Sequence, residues 1–255
     1  KIGPLKILLD GSLGARTAAL NQPYSDCPSA EGIVTLTQEE LDEIVDLAHK
    51  NNMQLAIHAI GDRTMYMAFN SIEKLIKENV KENYRHGIVH CQITDEYLLN
   101  KFKELDVIAY IQPIFLDYDW HIVKDRVGEK REKTSYNWKS LINKGVKTAN
   151  GSDAPVETFN VLKGIYEAVT RKDLYGLPEG GWLPDQKLTV KEAVYGYTMG
   201  GAYASFEENI KGSIEKGKLA DLVVLSEDIF SINEDMIKNV NVEMTVFNGK
   251  IVHEI

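Results

Sequence analysis

Leu55-Ala-Ile-His-Ala-Ile-Gly-Asp62 is an apolar run that ends on a histidine and breaks into a polar turn. Gly87-Ile-Val-His-Cys-Gln92 has the same form, and Ala149-Asn-Gly-Ser-Asp-Ala-Pro155 repeats it with an aspartate. Short apolar runs of this kind, separated by helical periodicity, read as βα units on a parallel sheet. His58, His90 and Asp153 therefore project from one end of that sheet. Active sites of such folds lie at that end.

Working outward, strands are expected at Leu5–Leu9, Gln54–His58, Gly87–Cys91, Val107–Ile111 and Lys147–Gly151. Thr37-Gln-Glu-Glu40 is a capping box that opens a helix to about Asn51. Further helices are expected over Arg63–Asn79, Asp95–Leu105 and Tyr136–Lys144, with a long loop after the Val107 strand. Thr189-Val-Lys-Glu192 caps another helix through about Tyr203, and Leu174–Gln186 reads as a surface loop. After Gly212 the texture becomes short β elements, with Asn248-Gly249 as a hairpin turn. The expected division is a βα part over 1–205 and a small β module over 206–255. Five parallel strands cannot close an eight-stranded barrel.

The 255 residues are 44% hydrophobic with a net charge of -9, which argues against a phosphate-backbone partner. No apolar run reaches the roughly 18 residues of a membrane span, so no membrane partner is expected. Two cysteines, Cys27 and Cys91, make no disulfide framework and fit a reducing compartment; a cytoplasmic location is the expectation. The chain opens at Lys1 directly on a strand-like segment, so upstream residues are expected.

A lone histidine at a strand end is more often a structural residue than a ligand. The set His58, His90 and Asp153 supplies two imidazoles and a carboxylate, a donor set suited to Zn or to Fe, Mn, Co or Ni. Lys6 is the odd charge in the first strand: on spacing alone it reads as an exterior lysine, and if inward-facing it could form a carbamate bridging two metals. Asp10, Arg16, Arg63 and Gln112 lie just beyond strand ends, where substrate is contacted in such folds. Arg16 reads equally as a loop-closing ion pair. Asp62 could orient His58 or, more simply, cap the following helix. His121 reads as a surface residue or part of a substrate wall. Cys91 should face away from its neighbour His90.

The segments Leu5-Lys-Ile-Leu-Leu-Asp-Gly-Ser-Leu-Gly-Ala-Arg-Thr-Ala-Ala-Leu20, Ile57-His-Ala-Ile-Gly-Asp-Arg63, Ile88-Val-His-Cys-Gln92, Gly151-Ser-Asp-Ala-Pro155 and Lys216-Gly-Lys-Leu-Ala-Asp-Leu-Val-Val-Leu225 resemble the amidohydrolase superfamily. Within it they resemble amidohydrolase family 3, the YtcJ-like metal-dependent hydrolases that include N-substituted formamide deformylase. The resemblance implies an α/β fold, a partial distorted (β/α)8 TIM barrel of strands four to eight plus part of a β-sandwich. It implies that Lys6 is the fourth-strand lysine, carboxylated in binuclear members, and that His58 and His90 are metal ligands. Asp153 would be the last ligand and the proton shuttle.

The family's first-strand His-x-His pair is absent from the six histidines here. Val89 stands where many relatives carry Glu. The chain thus reads as the C-terminal portion of an enzyme that hydrolyses an amide or related C–N bond of a small molecule. Its expected partners are the N-terminal remainder and, through exposed strand edges, a second copy in a homodimer. Rival readings are a mononuclear deaminase or esterase/lactonase on the same scaffold, and a non-catalytic binding fragment.

Overall fold

A computed structural model describes residues 2–78 and 82–255. The chain divides into two compact units. One holds the residues up to Ile111 together with Tyr118–Thr148, and the other holds Gln112–Asp117 with Ala149–Ile255.

In the first unit β1 (Leu5–Leu8), β2 (Leu55–Ala59), β3 (Gly87–His90) and β4 (Ile108–Ile111) lie side by side in chain order. Each neighbouring pair is parallel. β5 (Thr148–Asn150) comes next in the sheet, where Ala109 N–H donates to Lys147 O at 3.0 Å. All the expected strands are present, with ends moved by about one residue.

The connections are helical because apolar stripes recur at helical spacing. In α1 (Gln38–Lys50) Leu41, Val45 and Ala48 are buried; in α2 (Asp62–Glu78) the stripe is Met65, Ala68, Phe69, Ile72 and Leu75. Thr37 closes the capping box expected for α1, its hydroxyl accepting from Glu40 N–H while Thr37 N–H donates to the Glu40 carboxylate at 2.8 Å. The expected end of α2 at Asn79 lies outside the described residues. Asp95 caps α3 (Glu96–Glu104), and Phe102 of α3 meets Phe69 edge to face at 4.9 Å. Two glycines permit close approach. A Cβ on Gly61 would lie 1.8 Å from Ala19 O, and one on Gly87 would lie 2.1 Å from the Tyr110 ring.

The long loop expected after the Val107 strand is instead a 3-10 turn, Pro113–Phe115, followed by α4 (Leu116–Glu132). Gly128 interrupts α4 at φ 76°. Burial of Val123 and Val127, and the grip of Arg131 on the carbonyls of Gln22 and Pro23 at 2.8 and 2.7 Å, supply the stability that the sparse apolar pattern does not advertise. α5 (Trp138–Asn143) then leads to β5.

In the second unit α6 (Val161–Thr170), not expected from the sequence, buries nearly all round. The segment expected as a surface loop, Leu174–Gln186, lies largely at the surface, with one buried anchor in Trp182. Trp182 and Leu188 are buried, the Arg171 guanidinium lies 4.9 Å over the Trp182 ring, and Arg171 Nε donates to Trp182 O at 3.0 Å. Thr189 caps α7 (Val190–Tyr195), which runs through a π turn at Gly196–Gly200 into α8 (Gly201–Ala204), close to the expected extent. β6 (Leu222–Leu225), β7 (Val242–Phe247) and β8 (Lys250–Glu254) form a separate antiparallel sheet. Asn248 and Gly249 both take positive φ, 48° and 75°, as a tight hairpin requires. Among the described residues no helix is long and apolar enough to cross a membrane.

Candidate metal centre

His58 and His90 meet at the carboxyl ends of β2 and β3, with ring centroids 4.4 Å apart and planes at 71°. Strand alternation alone would not bring them together. In the register of the sheet His58 stands beside Val89, and His90 beside Ala59. The backbone leaves the extended region at His90, φ 82°, and again at Cys91, φ 52°. That left-handed turn frees the His90 ring from alternation. Non-glycine residues in this region cost free energy and gather at functional sites.

The Nε2 of His58 hydrogen-bonds to Gly11 O at 3.0 Å, and Asp10 Oδ1 lies beside the same nitrogen at 3.1 Å as a charge contact. A carbonyl only accepts, so Nε2 carries a hydrogen, and in the neutral ring Nδ1 keeps the lone pair. Asp10 is buried. Its Oδ2 accepts from Thr64 Oγ1 (2.7 Å), Gly61 N–H (2.8 Å) and Ala19 N–H (3.0 Å), and its Oδ1 from Ile60 N–H (3.1 Å). Asp10 is thus held by these donors beside His58, with little exposed surface. Asp62, the residue expected to orient His58 or cap α2, accepts from Asn21 N–H at 2.9 Å and Arg63 N–H at 3.0 Å. Burial pushes its carboxyl above the usual range.

Lys6 is exposed on β1, two residues before Leu8, the register partner of His58. Side chains two apart share a sheet face, so Lys6 lies on the His58 face and opposite buried Ile7 and Leu9. Asp153, in the second unit, is exposed and held at φ 55°, and its carbonyl accepts from Val156 N–H at 2.9 Å.

Arg16 is also left-handed, at φ 56°, and grips Asp26 with two hydrogen bonds of 3.0 and 2.8 Å. Arg126 joins the same carboxylate, and these bonds hold Asp26 below the usual carboxylate range. Arg63 pairs with Glu31 at 2.7 Å. Gln112 is buried at the start of the 3-10 turn. His121 lies exposed on α4 against Trp120, with ring centroids 3.9 Å apart. Cys91 is buried, its thiol donates to Ile88 O at 3.2 Å, and burial pushes its pKa well up.

One group near this end has no counterpart in the sequence reading. Asp119 on α4 accepts from Tyr136 Oη at 2.5 Å and from Gln92 Nε2 at 3.4 Å, and burial pushes its carboxyl up to about 6. Gln92 lies two residues past His90, and Asp119 came from the segment expected to be a loop.

Two convergent imidazoles, one with Nδ1 kept free of hydrogen, fit half of a four-coordinate site for a borderline divalent ion. Among the described residues no cluster of three or more His, Cys, Asp or Glu side chains is assembled to hold a metal.

Similarity to known proteins agrees with this geometry. Residues 1–253 match the model of the family described as Amidohydrolase family. The chain is 37% identical over all 255 residues to YtcJ of Bacillus subtilis (strain 168), named as an amidohydrolase, and covers 47% of that protein. It is 25% identical over 254 residues to the N-substituted formamide deformylase of Arthrobacter pascens, covering 46% of it. An uncharacterized metal-dependent hydrolase from Pyrococcus horikoshii OT3 superposes with a TM-score of 0.81 at 33% identity, over 91% of this chain and 46% of the other. The chain therefore spans about half the length of the relatives it matches. With its family model, its relatives and its fold in agreement, the chain belongs to the amidohydrolase family.

Proposed function

We propose that this chain is the C-terminal portion of a metal-dependent hydrolase that cleaves an amide or related C–N bond. The observation that carries this reading is the His58–His90 pair at the carboxyl ends of adjacent parallel strands. In this reading the first 205 residues complete a barrel with an N-terminal remainder, and residues 206–255 complete a β-sandwich with it. Roughly half of each relative's length lies outside the matched segment, which supports a partner of that kind.

His58 through Nδ1, together with His90, Asp153 and Lys6, would hold one or two divalent ions, with zinc favoured by the two imidazoles. A bound ion of this type supplies Lewis acidity and lowers the pKa of water toward about 7. Lys6, if carboxylated on Nζ, offers two carbamate oxygens. Asp153 takes the proton of the attacking water on a carboxylate oxygen. It then delivers that proton to the leaving nitrogen as the C–N bond breaks. Arg16, on the loop after β1, and Arg63, in the first turn of α2, would contact substrate together with Gln112. Asp10 belongs instead to the support of His58. An N-substituted amide is the substrate class to try first, because one relative is named for deformylating N-substituted formamides.

The test is hydrolysis of matched amide and ester panels by the intact protein and its Asp153→Asn variant. Amide turnover that falls by about 10²-fold or more in the variant, with the fold retained, supports the reading. Near-normal turnover removes Asp153 from proton transfer, and exclusive ester hydrolysis favours the esterase alternative.

A further inference from the structure

We propose that Asp10 is the positioning residue that fixes the ring plane and tautomer of His58, so that His58 offers Nδ1 to a metal; this rests on the metal-site reading above. Three features carry the proposal. First, Asp10 Oδ1 lies 3.1 Å from His58 Nε2, and Gly11 O lies 3.0 Å from the same nitrogen. The Gly11 carbonyl only accepts, so the hydrogen is on Nε2, and the Asp10 charge beside that nitrogen favours the same placement of the one hydrogen a neutral imidazole has.

Second, Asp10 has little freedom to move. It takes hydrogen bonds from Ala19 N–H, Ile60 N–H, Gly61 N–H and Thr64 Oγ1, which come from the loop after β1, the end of β2 and the first turn of α2. The carboxylate is therefore registered to β2 by the same backbone that presents His58. Third, the other candidate for the role is occupied elsewhere, since Asp62 is bound to Asn21 and Arg63. A carboxylate behind a ligating histidine raises its basicity and holds its orientation. Loss of such a partner typically weakens metal binding 10–100-fold.

Asn cannot replace Asp10 cleanly, because both oxygens accept hydrogen bonds and an amide offers only one acceptor. A control must separate this loss of packing from the effect on His58. Thr64→Val removes one donor to Oδ2 and leaves the Oδ1 contact with His58 in place.

The experiment measures zinc affinity by chelator competition for the intact protein, Asp10→Asn and Thr64→Val. It also records ¹⁵N ring spectra of His58 in the metal-free wild type and both variants at pH 8. The expected result is an Nε2–H tautomer for wild type and Thr64→Val. Zinc affinity should fall 10–100-fold in Asp10→Asn and stay within about threefold in Thr64→Val, even where both lose thermal stability. An Nδ1–H tautomer in wild type overturns the proposal. So does an Asp10→Asn affinity loss no greater than that of Thr64→Val. If the wild type binds no zinc, the metal reading fails separately, and the His58 ring spectrum of Asp10→Asn against that of wild type still decides the role of Asp10: an unchanged Nε2–H tautomer overturns it.

Discussion

His90 reaches His58 because its backbone is left-handed. The two rings lie 4.4 Å apart between centroids, and φ at His90 is 82° where the strand itself is extended. Alternation along β3 would have directed Val89, not His90, to the side of its register partner His58. The geometry of the pair thus depends on one unfavourable backbone conformation.

This dependence is measurable without metal. Asparagine tolerates left-handed φ and β-branched residues do not. His90→Val is expected to be less stable to urea than His90→Asn by roughly 1–2 kcal/mol. Equal stability of the two would mean that residue 90 is extended in solution.

Asp119 sets a pH dependence. Burial raises its carboxyl to about 6 in the folded protein, from an ordinary value of 3.8. Between those values the folded state holds a proton that the unfolded state has released, so stability falls as pH rises through the window. Asp119→Asn removes the ionisation. Its stability relative to wild type is expected to rise between pH 4 and pH 7 and to level off above, with a gain of up to about 3 kcal/mol. A relative stability that is flat across this range in paired urea titrations would contradict the burial argument.

Glu167 on α6 makes a similar case in the second unit. It is fully buried, and burial followed by the nearby Asp117 charge pushes its carboxyl up to about 10. The folded state keeps the proton from pH 4.5 upward, while the unfolded chain loses it. The wild type should therefore lose stability relative to Glu167→Gln steadily from pH 5 to pH 9. Thermal melts of the two proteins across that range check it, and parallel curves would show that Glu167 is ionised when folded.

The parts of the site legible in the sequence are those where one residue type interrupts a simple period. His58 and His90 stand out because each ends an apolar run, and capping boxes at Thr37 and Thr189 mark helix starts by local chemistry. What was not legible depends on distance through space. α4 was hidden because few apolar positions and Gly128 break its pattern, while its anchors, Gln22 and Pro23, are about a hundred residues away in the chain. Asp119 is unremarkable until Tyr136 and Gln92 close over it. Asp10 and Asp62 look alike as aspartates beyond strand ends. Only the fold decides which one stands behind His58.

If His58 and His90 are metal ligands, bound metal depends on both side chains. Elemental analysis of metal per chain in the intact protein, beside His58→Ala and His90→Ala after equal dialysis, measures this. One to two divalent ions per wild-type chain are expected, with most of that metal lost in each variant and the fold retained. Unchanged metal content in both variants would contradict that dependence.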